Sequence, residues 1–108
     1  MLMSNWLAYR DGRTIGNLGA EGGVILRDEE HISGARVTLK NASNYVSVSC
    51  SIYGWIDHTR FYNSVTDAQR EYLLMKPLLA NMVENILLAG KSDLKMWEAI
   101  AEFVRRFP

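Results

Sequence analysis

Six of the eight glycines in this 108-residue chain fall before residue 35, and after Asn63 the apolar residues recur at helical spacing. Glycine tolerates the left-handed backbone that tight turns require, so the first half reads as short extended segments joined by turns. The second half lacks both the turn clusters and the β-branched runs that short strands need. Strands that precede helices in one chain pack as an antiparallel sheet with the helices on one face. The expected architecture is therefore α+β, a sheet of five or six strands followed by two C-terminal helices. Length favours a single domain over residues 1–108, strand-rich over 5–62 and helical over 66–107.

Asp11-Gly12 stands between residues 6–10 and 13–18, and an Asp-Gly pair flanked by extended-type residues predicts a hairpin. Gly16, Gly19, Gly22 and Gly23 punctuate a loop before a third strand at Val24-Ile25-Leu26, which the acidic run Asp28-Glu29-Glu30 is expected to turn back. Ala35, Val37 and Leu39 then alternate with Arg36, Thr38 and Lys40, the period of a half-buried strand. The next strand is the clearest. Val46, Val48, Cys50 and Ile52 form one face, while Tyr45, Ser47, Ser49, Ser51 and Tyr53 form the other, expected to meet solvent. A two-residue Gly54-Trp55 turn would put Asp57, Thr59 and Phe61 on the face of Cys50, whereas an unbroken strand would put Ile56, His58 and Arg60 there. The turn is the preferred reading, since Gly54 suits a type II′ turn.

Thr66 and Gln69 have the spacing of a capping box, so a helix is expected to begin at Thr66. Its apolar stripe is Ala68, Tyr72, Met75, Leu79, Met82 and Ile86, widened by Leu78, Val83 and Leu87. Pro77 predicts a kink near Met75 and Lys76, or a restart. Gly90 is expected to close this helix and Ser92 to cap the next, whose apolar face reads as Leu94, Trp97, Ile100, Ala101 and Val104.

Twelve basic residues balance twelve acidic ones, and each half of the chain is balanced by itself. Nucleic acid as a partner is thus not supported by net charge, because phosphate neutralisation supplies most duplex affinity. The longest apolar run is far too short to cross a bilayer, so no membrane partner is expected. A lone cysteine, Cys50, and the absence of a leader-like start lead to the expectation of a cytoplasmic protein.

Gly90-Lys91-Ser92 matches only the end of a phosphate-binding loop, and Gly16, Gly19 and Gly22 lack the dinucleotide-binding spacing. His31 and His58 lie near acids in sequence, but one histidine per segment is a poor start for zinc, so neither a metal nor a cofactor is expected. Cys50 could take His58 as a base if the strands set them opposite, although its apolar neighbours favour a buried, unreactive thiol. The segment from Tyr53 to Tyr62 concentrates the remaining chemistry. Trp55, Asp57, His58 and Arg60 are the candidate ligand-binding residues, and Tyr45, Tyr53, Trp55 and Phe61 the candidate interface residues. The element order resembles that of the PUR-type and whirly-type single-strand nucleic-acid binders, a resemblance of topology that no motif accompanies. The leading expectation is a binding or interaction protein with a protein or small-molecule partner, self-associating as a homodimer through its sheet. Single-strand nucleic-acid binding and a small-molecule site or enzyme on the Asp57, His58 and Arg60 strand are the alternatives.

Overall fold

The computed structural model describes residues 5–19, 22–84 and 93–108. Five strands, β1 (Trp6–Ala8), β2 (Val24–His31), β3 (Ala35–Asn41), β4 (Val46–Ile52) and β5 (Ile56–Tyr62), form one antiparallel sheet in chain order. Two helices follow, α1 (Val65–Met82) and α2 (Asp93–Arg106). The α+β class expected from the segregated halves is the class observed.

Apolar alternation explains how these layers meet. Ala35, Val37 and Leu39 of β3 and Val46, Val48, Cys50 and Ile52 of β4 point to one side and are buried there. Ala68, Tyr72, Met75, Leu79 and Met82 of α1 join them in one core, together with Met96, Ile100 and Phe103 of α2 and the following Phe107. Each large side chain removed from water here contributes about 1.5–3 kcal/mol. Ile86, Leu87, Gly90 and Ser92 lie outside the described residues.

Several local expectations are corrected by tertiary contacts. Asp11-Gly12 does not turn a hairpin: β1 pairs instead with the far end of β2, Trp6 opposite His31 and Ala8 opposite Glu29. The chain leaves β1 through a tight turn in which Arg10 and Asp11 both have positive φ. Residues 13–18 form turns, with only Leu18 bridging Val24. Contacts across the sheet hold this segment down, with Tyr9 under the Arg36 guanidinium at 3.7 Å and the Thr14 hydroxyl on Asp28 Oδ2 at 2.9 Å.

Asp28-Glu29-Glu30 does not end β2, which runs through it to a turn at residues 32–34. A buried carboxylate such as Asp28 is tolerated when it finds partners, and the half-buried Glu29 and Glu30 beside it find partners too. Asp28 takes a forked pair of hydrogen bonds from Arg36, at 2.9 and 2.7 Å, and Glu30 accepts from the Tyr53 hydroxyl at 2.6 Å. Glu29 faces α1, accepting from Tyr72 at 2.6 Å, Lys76 at 2.8 Å and Arg27 at 3.3 Å. Beside it, His31 accepts the Ser33 backbone N–H at Nδ1, so its proton sits on Nε2 and is donated to Glu84 Oε1 at 2.8 Å.

The helix boundaries and faces shift as well. Ser64, in extended conformation, is the N-cap of α1, and its hydroxyl accepts from the Asp67 N–H at 3.1 Å. Thr66 is one residue into the helix and exposed. The helix neither stops nor restarts at Pro77, which is exposed on its outer side. Proline has no N–H for the Leu73 carbonyl, so one helical hydrogen bond is missing there. In α2 the buried stripe is Met96, Ile100 and Phe103, whereas Leu94 and Trp97 of the expected face are 67% and 52% exposed.

Two measurements follow from these contacts. Ser64→Ala should lower stability by about 1 kcal/mol by stranding a first-turn amide, and Thr66→Ala should change it by less than about 0.5 kcal/mol, as read from denaturant midpoints. Burial pushes the Glu29 carboxyl up, but its hydrogen bonds from Lys76 and Tyr72 and the charges of Lys76 and Arg27 outweigh that and hold it below the usual range. A lowered carboxyl stabilises the fold above its unfolded value of about 4.3 and loses that stabilisation as pH falls through the folded value. Wild type should therefore lose stability on acidification more steeply than Glu29→Gln, which at pH 7 should be the weaker by about 1.5–3 kcal/mol.

Candidate functional site

The face of the sheet turned away from the helices is polar, and its pattern follows from the register. Residues directly opposite one another in an antiparallel pair share a face. Lys40 lies opposite Ser47 and Ser47 opposite Phe61; Thr38, Ser49 and Thr59 form a second row; Arg36, Ser51 and Asp57 form a third. The central column of this grid is serine three times. Serine is far shorter than the lysine, arginine and phenylalanine on either side, so a trough runs along β4 between the walls of β3 and β5, open at Ser49 and Ser51; Ser47, expected at solvent, is instead buried at 1% exposure.

The trough opens into a cavity of about 380 Å³ lined by Gly19, Ile25, Arg36, Thr38, Lys40, Ser49, Ser51, Asp57 and Thr59. Cys50 and His58 contribute to its floor, although the register turns their side chains to the helices. Gly19 closes one side so tightly that a Cβ there would stand 2.5 Å from Lys40 Cδ. A Cβ at this position would force the lysine stem to move.

The charges of the trough are of two kinds. Arg36 is committed: its Nε and one Nη hold the fully buried carboxylate of Asp28, which also accepts from the Thr38 hydroxyl at 3.1 Å. Lys40 and Asp57 are uncommitted, since neither makes an ion pair among the described residues. Between them the Ser49 and Thr59 hydroxyls hydrogen-bond at 2.9 Å, one donating and the other keeping its proton for another acceptor. The site thus offers hydroxyl donors and acceptors, one cation and one anion. No group of three or more potential metal ligands converges among the described residues.

The candidate residues of the Tyr53–Tyr62 segment are separated by the turn. The β4–β5 connection has three residues, not two: Ile52 pairs with Ile56, the Trp55 N–H reaches the Ile52 carbonyl at 2.9 Å, and Gly54 takes φ +83°. That positive φ at the third position of the turn matches type II geometry rather than type II′. One extra residue reverses the parity of β5, so Asp57 joins the trough while His58 and Arg60 face the helices. His58 donates from Nε2 to the Phe107 carbonyl, and Arg60 reaches Glu71 at 3.4 Å. Trp55 packs edge-on against Trp97 of α2 at 5.4 Å.

Cys50 does lie opposite His58. Burial, with a smaller effect from the Asp57 charge, pushes its thiol up to about 12, the reverse of what an activated nucleophile needs. The four candidate interface aromatics divide between the two ends of β4. Tyr45 packs edge-on against Phe61 at 5.2 Å at one end, and Tyr53 and Trp55 occupy the turn at the other. Lys40, Ser49, Ser51 and Thr59 were not singled out from sequence, yet the serine alternation of β4 already marked their face. What sequence lacks is the length of the turn, which decides what stands beside the serines. No protein-family model matches the chain, and neither a curated protein nor a solved structure matches it.

Proposed function

We propose that this protein is a binding module that holds a small polar ligand in the serine-floored trough on the open face of its sheet. The observation that carries the reading is the conjunction of a 380 Å³ cavity with two charged side chains that have no ion-pair partner among the described residues. Cavities of this size suit small molecules. Binding rather than catalysis is favoured, because the hydroxyls of the trough have no imidazole beside them: His58 is turned to the other face and engaged by Phe107.

Two other readings draw less support. A single-strand nucleic-acid platform needs a basic groove with a row of stacking rings, whereas this face mixes Lys40 with Asp57 and its rings gather at the two ends of β4. Self-association has one observation in its favour, the free edge of β5, where Phe61 is 59% exposed. Yet that edge also carries Asp57, His58 and Arg60, and charges on edge strands oppose pairing with another sheet.

Titration with a panel of amino acids, short peptides, sugars and phosphate esters, followed by backbone amide shifts, tests the proposal. Shifts should concentrate at residues 36–40, 47–51 and 57–61. Ser49→Leu, which fills the trough from a solvent-facing position, should weaken any such binding at least about tenfold while leaving the fold unchanged. Shifts confined to α1 and α2, or binding unaffected by Ser49→Leu, would contradict it.

A further inference from the structure

Lys40 and Asp57 stand at opposite corners of the grid, one beside Ser47 and the other beside Ser51. Four residues along the strands and two strand spacings separate them, about 17 Å between Cα atoms at ~3.4 Å per residue and ~4.8 Å per strand. The Lys40 stem lies against Gly19, and a ligand that meets both charged ends needs to span on the order of 10 Å once the reach of each side chain is taken from that separation. Arg36 does not compete for an anion on equal terms, since Asp28 already occupies its fork and cancels its charge.

A ligand with charge of one sign would satisfy one corner and be repelled at the other, or would leave that group desolvated and unpaired. A ligand with both charges meets neither cost. Resting on the trough as the binding site, we infer that the preferred ligand is an elongated zwitterion, its ammonium group at Asp57 and its carboxylate at Lys40. An extended tripeptide spans about 10 Å, the order of the gap to be bridged. Serine and threonine hydroxyls both donate and accept, so the column between the two charges can serve the alternating N–H and C=O groups of such a backbone. The Ser49 and Thr59 pair sits midway.

The probes are triglycine, N-acetyl-triglycine and triglycine amide, titrated into the wild-type chain, Lys40→Gln and Asp57→Asn, with the amide shifts of Ser47, Ser49 and Ser51 as the readout. Triglycine should bind about five- to tenfold more tightly than either capped form, as expected for partly desolvated charge pairs. Asp57→Asn should abolish the discrimination against the N-acetyl form alone, and Lys40→Gln that against the amide alone. Asparagine is isosteric with aspartate and glutamine keeps the first part of the lysine stem without its charge, and unchanged shifts in α1 would show the fold intact. Equal binding of all three probes, or discrimination that survives in both variants, would overturn the inference. Glucose producing the same serine shifts where triglycine produces none would overturn it while leaving the trough as a binding site. An absence of trough shifts with every probe would overturn both.

Discussion

Burial of one side of β4 against α1 is the interaction on which the rest of the molecule depends. Val46, Val48, Cys50 and Ile52 lie under Tyr72, Met75 and Leu79 in a single core. A strand has only two sides, so committing this one to the helices commits Ser47, Ser49 and Ser51 to the other. The trough follows from that choice without further instruction: short side chains on the middle strand, longer ones on both neighbours. Core packing and the candidate site are two consequences of the same alternation.

The sheet is wider than its apolar centre, and α1 also reaches β2, where the side facing the helix is charged. Arg27 and Glu29 stand there in place of valines and leucines. Glu29 accepts from Tyr72 and Lys76 of α1, and Arg27 pairs with Glu29 and lies over the Tyr72 ring, so the helix is fixed by apolar contact over β3 and β4 and by hydrogen bonds over β2. Partnered groups of this kind add little over an apolar replacement, but losing one partner is costly and any slip of the helix along the sheet leaves half-buried charges unpaired. On the opposite face the fork of Arg36 on Asp28 ties β2 to β3 and anchors the segment through Tyr9 and Thr14. Gly19, at the end of that segment, lines the cavity.

The class of fold and the faces of β3 and β4 were legible in the sequence because both rest on local periodicity. What was not legible depended on contacts distant in the chain or on the length of a turn. The acids of β2 read as a turn because their partners, Arg36, Tyr53, Tyr72 and Lys76, lie in other elements. In sequence Ser64 and Thr66 both precede a plausible helix start, and only the extended backbone at Ser64 separates them. In α2 two stripes of similar hydrophobicity compete, and packing selects the one that includes Phe103. Most consequential was the turn at Gly54. A two-residue and a three-residue turn are both compatible with glycine there, yet they send Asp57 to opposite faces.

That parity is also where the account is most exposed. Cross-strand nuclear Overhauser contacts between β4 and β5 measure it directly. The trough requires Cys50 opposite His58, Val48 opposite Arg60 and Ser51 opposite Asp57. Contacts pairing Cys50 with Thr59 and Val48 with Phe61 would instead mark a two-residue turn. They would place Asp57 and Thr59 beneath the helices and remove the β5 wall from the serine column, and with it the site.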